Sequence, residues 1–438
     1  MVANEMALAE KEIVEDHQLK EKIVNEEFKI WKKTVPLLYD TIRTWVLDSP
    51  SLAFTWLPQY EYSEDKNTIA VKFLIGTNTS CKSQNYLKLA SVDVPSTLAP
   101  DFSTVRANVE SIPIPTSNAE SPCNFNVIST WKQPREINKM KLSPNAENVI
   151  AMDGDGIIHM FNLKSQDQTD YKYHKLEGST IEWVNDSSFL SGATDSQIAL
   201  WDITKPSTPI HLFKTHAGPI NDLSTNKIHS DIFASVSDDY TTQFHDLRMA
   251  ATNANPAINF TNSQIQNAIV FHPDVDTLYA TGGKDNVVSL YDMRKYSVPI
   301  REFYGHNDTV IGLKWDSNND PFNLISWGLD KRVITWDLNL LNEEFTYPVP
   351  ENETSKRRST NKVDPCLKFV HAGHTTRIND TDIHPTITNL YATVGDDNLV
   401  EVWKPKTLAT EEESESEESA KEEPSKEESK DEDVEMKL

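Results

Sequence analysis

The chain has 438 residues and a formal net charge of −25, with 67 acidic against 42 basic side chains. That surface repels phosphate backbones and excludes direct nucleic-acid binding, and no apolar run reaches the roughly 18–20 residues of a membrane helix. Cys81, Cys123 and Cys366 are scattered and form no CxxC metal site, and the acidic start MVANEMALAEKEIVED has the makeup of neither a secretory nor a mitochondrial leader.

In chain order, the first element is an N-terminal helical segment over residues 1–50. Leu19, Ile23, Val24, Phe28, Trp31 and Val35 recur at helical spacing and leave the other face to Glu and Lys. Residues 1–12 read as loose. Pro36 kinks or ends the helix, and LLYDTIRTWVL reads as a further helix beyond it. LAFTWLP (52–58) alternates like a strand and is expected to complete the last unit of the fold. Residues 68–94 read as two more strands, and residues 95–130, rich in Pro, Ser and Asn, as a loop.

From residue 155 onward one spacing repeats. An Asp stands six places before an aromatic or His in Asp155/Phe161, Asp195/Trp201, Asp239/His245, Asp285/Tyr291, Asp330/Trp336 and Asp397/Trp403. Successive aromatics lie 40, 44, 46, 45 and 67 residues apart, and His216, His306 and His374 precede their Asp by 23, 24 and 23 residues. Apart from the last interval this is the ~40–45-residue period of WD repeats, in which His, a hydroxyl, Asp and the aromatic are linked by hydrogen bonds. A buried carboxylate is tolerable only with its hydrogen bonds satisfied, so these Asp are read as structural rather than catalytic. The repeats predict an all-β fold: a seven-bladed WD40 β-propeller over 51–405, each blade a four-stranded antiparallel sheet.

The 67-residue interval contains an insert, taken as 338–370, which begins acidic and turns basic at Lys356, Arg357 and Arg358. Long inserts in a regular array often carry function. Residues 406–438 read as a disordered acidic tail, whose last 28 residues hold 14 acids and four lysines. Ser414, Ser419, Ser425 and Ser429 each have Glu three places on and are candidate sites for an acidophilic kinase.

NEEFKIWKKTVPLLYDTIRTWVLDSPSLAFTWLP (25–58), the repeats and the final blade VHAGHTTRINDTDIHP…DDNLVEVWKP together resemble the retinoblastoma-binding type of histone-binding WD-repeat family, over residues 19–405. The departures resemble its divergent fungal branch, WD-repeat transcriptional modulators of histone deacetylase complexes. The resemblance implies an N-terminal helix on a seven-bladed propeller, with a side groove for a histone helix and an acidic top face for a second histone tail. Carried over residue by residue, the side groove comprises Phe28, Trp31, Asp364, Pro365, Leu367 and Phe369. The top face comprises Glu136, Asn138, Glu177 and Asp396. Asn221, Thr309 and Ile311 stand where the family commonly has Glu, Glu and an aromatic.

The chain is accordingly read as a non-catalytic scaffold subunit of a nuclear histone deacetylase corepressor complex, acting in transcriptional regulation. Its partners are the other subunits of such a complex, together with histone tails, and it needs no cofactor. It has no Gly-rich phosphate loop, HExxH or Gly-x-Ser-x-Gly, and DGDG (153–156) lacks the further ligands of a calcium loop. One alternative is a histone-binding chaperone subunit of an acetyltransferase or chromatin assembly complex, present in the cytoplasm as well as the nucleus. Another, from FHDLR and YDMRK, is a cullin-type ubiquitin ligase adaptor.

Overall fold

Alternating residues with β-branched and aromatic side chains pair into seven four-stranded antiparallel sheets in the computed structural model. It describes residues 2–64, 66–80, 82–102, 125–249, 255–317, 320–343 and 363–406. The sheets are the seven blades of a β-propeller. Blade one runs Phe54–Tyr62, Thr68–Gly76, Asn85–Pro95 and Phe125–Gln133, from the central channel outward. The inner strands of blades two to six begin at Ile137, Gly178, Ile220, Gln266 and Val310.

Blade seven is assembled from both ends of the chain. Ile378–Ile383, Tyr391–Gly395 and Leu399–Pro405 are joined by Tyr39–Val46, which pairs antiparallel to the last of them with Ile42 opposite Trp403 and Trp45 opposite Val400. This corrects two readings. LLYDTIRTWVL is not a second helix: beyond Leu38 the chain extends, with Tyr39 and Trp45 buried and Val46 exposed. LAFTWLP does not complete the last blade, because Phe54–Tyr62 is the inner strand of blade one. The N-terminal helix, α1, spans Val2–Leu38 with Pro36 in its last turn, and residues 2–12, read as loose, belong to it. The 95–130 stretch is likewise not all loop, since it contains most of the outer strand of blade one.

The recurring Asp is explained by the turn it occupies. After Asp195, Asp239, Asp285, Asp330 and Asp397 come Ser196, Tyr240, Asn286, Lys331 and Asn398, all at φ between +62° and +66°. Each Asp carboxylate accepts the backbone N–H two residues on, at Gln197, Thr241, Val287, Arg332 and Leu399, which holds the chain in this otherwise disfavoured left-handed conformation. Blade two departs from the predicted pattern. There Asp153 is the buried acceptor, taking hydrogen bonds from the N–H groups of Asp155 and Ile157, and Gly156 is the left-handed residue. Asp155 points outward to Arg135.

Neighbouring blades are tied near the channel mouth. Asn138, Ser179, Asn221 and Asn267 each donate to a backbone carbonyl of the next blade, at Gly178, Ile220, Gln266 and Val310, and Asn379 donates to Ser51 of the blade-one approach. At the seam where the ends of the chain meet, Asp380 and Asp382 accept the N–H groups of Phe54 and Trp56. Lys139 and Lys314 neutralise those two carboxylates from across the channel.

Candidate partner-docking surfaces

The His–Ser–Asp–aromatic sets are built to different degrees. In blade three His174 lies 3.1 Å from Asp195 and 2.8 Å from the Ser191 hydroxyl, which also accepts from Trp201 Nε1 at 3.0 Å. Blade six repeats this with His306, Asp330, Ser326 and Trp336. In blade four His216 joins Asp239 and Ser235, but the aromatic position holds His245, which stacks on Phe233 with both ring nitrogens buried and unpartnered. Burial pushes His245 down to about 3. In blade five Asp285 has no histidine partner and burial raises its carboxyl, while Tyr291 stacks on Tyr279. In blade seven His374 meets Asp397 and Thr393, and Trp403 is covered by the flat ring of His371 at 4.4 Å. His174 is missing from the sequence reading, although it precedes Asp195 by 21 residues, close to the spacing of the other histidines.

On the side of the propeller, Phe28 and Trp31 stack at 5.4 Å on the helix face turned towards blades six and seven. Trp31 Nε1 donates to the hydroxyl of Tyr39 at 3.0 Å, and Tyr39 packs edge-on against Phe369 at 5.2 Å. Phe369 stacks on Trp403, and Leu367 packs on the core between blades five and six. Phe28, Trp31, Phe369 and Leu367 are each half-buried, so their free edges line the wall and floor of an apolar groove. Exposed Ile30, Leu37 and Val363 extend the apolar surface of α1 and of the strand approach. The groove thus contains Tyr39 and His371, which sequence reasoning missed because Tyr39 was placed on a helix.

Asp364 does not serve the groove. It is 2% exposed, lies 3.2 Å from the Arg301 guanidinium, and accepts the N–H groups of Cys366 and Tyr304, so it caps the turn into the outer strand of blade six beside Pro365. The basic run at 356–358 and the four tail serines lie outside the described residues.

The candidate top-face residues gather at one end of the channel. Asn138 donates to Glu177 at 3.1 Å, and Glu136 packs against Gly154, where an added Cβ would collide with its carboxylate. Asp396 accepts from Asn379 and from Arg377, each at 2.7 Å, so its charge is already partly neutralised. Asp238 repeats the Asp396 arrangement, accepting from Asn221 at 3.0 Å, with the same separation of 17 residues as Asn379 and Asp396. That shared spacing is the signal by which Asp238 was legible. Below the mouth the channel, of about 1100 Å³, is lined by Lys139, Lys141, Lys227 and Lys314 against Glu182, Asp222, Asp380 and Asp382. Burial alone would raise Glu182, but Lys141 and Lys227 hold it at about 2.

One group of donors has the residue types of a metal site: His371, His374 and Glu401, with ligand atoms within 4.8 Å of one another. Their polar atoms are, however, occupied within the protein by Tyr39, Thr393, Asp397 and Thr44. The arrangement is that of a buried hydrogen-bond network. Arg248 and Arg294, the adaptor-like arginines, fold back on Asp246 and Asp292 two residues before them.

Fold and surfaces together define a WD-repeat propeller whose described polar clusters hold blades together, with an apolar side groove and a polar channel mouth left open. A family profile for the histone-binding protein RBBP4, or its counterpart in the CAF1 complex, matches residues 26–96, which span the groove helix and the start of blade one. The chain is similar to histone acetyltransferase type B subunit 2 of Candida glabrata, at 33% identity over 396 residues, covering 87% of this chain and 88% of that protein. It is similar to the proteins of the same name from Schizosaccharomyces pombe, at 31% over 408 residues (88% and 91%), and Kluyveromyces lactis, at 29% over 396 residues (87% and 92%). The chain belongs to the RBBP4-type histone-binding WD-repeat family, in its fungal branch.

Proposed function

We propose that this protein is a non-catalytic, histone-binding subunit of a nuclear type B histone acetyltransferase complex. The observation that carries the reading is the full-length similarity to subunits of that name, joined to a groove in which Phe28 and Trp31 face Phe369 and Leu367. The comparisons favour this acetyltransferase alternative over the deacetylase reading of the sequence. An amphipathic histone helix fits the groove through its apolar face. With Asp364 turned inward onto Arg301, the groove recognises its partner by apolar area more than by charge. The acidic rim with Glu177, Asp238 and Asp396 suits a basic tail. A working site in the cytoplasm as well as the nucleus fits a subunit that meets histones before their deposition.

Fluorescence anisotropy with a labelled H4 helix peptide tests the reading. Micromolar or tighter binding is expected, weakened at least tenfold by Phe28→Asp plus Trp31→Asp with the thermal midpoint held. Equal affinity of the folded double variant would remove the groove as the docking site. Co-purification with an acetyltransferase catalytic subunit from the source cells separates this complex from a deacetylase one.

A further inference from the structure

A chain of polar contacts runs from the groove wall into the core of blade seven. Trp31 Nε1 donates to Tyr39 Oη at 3.0 Å, Tyr39 Oη meets His371 Nδ1 at 2.9 Å, and His371 Nε2 stands 3.1 Å from Glu401 Oε2, outside ideal hydrogen-bond angles. Thr44 on the closing strand donates to the other oxygen of Glu401 at 3.2 Å. Glu401 is 1% exposed and His371 0%, and a Cβ at Gly373 would come within 2.0 Å of the carboxylate, so residue 373 leaves room for it.

The direction of each bond follows from the first. An indole N–H can only donate, so the Tyr39 oxygen accepts it, and the hydroxyl hydrogen is left for His371 Nδ1. That ring nitrogen must then be the acceptor, and the imidazole hydrogen sits on Nε2, facing Glu401. Burial favours the neutral ring, lowering His371, while the contact with His371 outweighs burial to keep Glu401 ionised.

We infer that Glu401 is a positioning residue for the side groove: it selects the His371 tautomer, which orients the Tyr39 hydroxyl, which in turn holds the Trp31 indole against the propeller. The inference rests on the groove being the docking site, although its structural half does not. The same chain links the helix, through Tyr39, to the strand that closes the propeller, so the groove wall and the ring closure share one anchor.

The test uses the full chain and three variants, Tyr39→Phe, Glu401→Leu and Glu401→Gln. One readout is the indole ¹⁵N–¹H resonance of Trp31, assigned by its loss in Trp31→Phe. The others are the His371 ring nitrogen shifts, assigned through His371→Gln, and affinity for the H4 helix peptide. In the parent, His371 should show the Nε2–H form. Tyr39→Phe and Glu401→Leu should both shift the Trp31 resonance and weaken the peptide about threefold to tenfold, the loss of one net hydrogen bond. Glu401→Gln, which keeps an acceptor, should restore both. A Trp31 resonance that moves in Glu401→Leu without any peptide binding in the parent would support the relay and remove the docking reading. Trp31 signal and affinity unchanged in Glu401→Leu, or the Nδ1–H form in the parent, would overturn it. So would stoichiometric zinc in the purified chain, because a metal on these donors would replace the hydrogen bonds.

Discussion

At the scale of single residues, the repeat positions show how one network tolerates substitution. Where all four members are present, as in blades three and six, one serine hydroxyl bridges His and Trp, and the ring nitrogens of both have partners. His245 breaks that economy: it fills the aromatic position of blade four and leaves two ring nitrogens unpartnered. Its folded-state pKa of about 3 lies below the ordinary 6.5, so the unfolded chain takes up a proton that the folded one refuses. Stability is therefore complete above pH 6.5 and declines as pH falls towards 3, by about 1.4 kcal/mol per pH unit for this residue. His245→Phe keeps the stack on Phe233 and removes the titration. The variant should gain about 2 kcal/mol more over the parent at pH 5 than at pH 7.5. Urea midpoints at the two pH values measure this, and an equal gain at both would show that His245 is not the group responsible.

At the scale of elements, α1 and the strand after it do separate jobs that one sequence window runs together. The helix contributes Phe28 and Trp31 to the groove, whereas Tyr39–Val46 is the fourth strand of blade seven and buries Tyr39 and Trp45. Deleting residues 2–27 should leave the thermal midpoint within about 2 °C, since it removes no residue packed in the cores described. Deleting 2–46 should lower it by roughly 10 °C or more, because two buried aromatics and the ring closure go together. Differential scanning calorimetry separates the cases, and a stable 2–46 deletion would mean that the remaining strands close without this one. The helix pattern was legible because apolar residues recur every three or four positions. The strand was not, because YDTIRTWV has too few residues for its period-two alternation to stand out beside a helix.

At the scale of the whole molecule, the charge of −25 acts through its distribution. The channel lysines are matched by carboxylates, while Glu177 and Asp238 at the mouth remain available to a basic chain. Binding of a basic histone tail at the mouth should weaken about tenfold between 50 and 300 mM NaCl, and binding of the helix in the groove by no more than about twofold. Titrations of the two peptides at both salt concentrations decide this, and equal salt dependence would contradict a groove that reads apolar area.

The sequence by itself determined the propeller, its repeat count and the turn Asp in five blades, because a left-handed turn braced by a carboxylate imposes a spacing that survives variation elsewhere. It also determined which helix face is apolar. Only the tertiary structure decided that Asp153 replaces Asp155 in blade two, that Asp364 faces Arg301 rather than a partner, and that the chain closes with residues 39–46. Those choices depend on what lies across a blade seam or hundreds of residues away, as Tyr39 lies against His371, and local spacing carries no record of such neighbours.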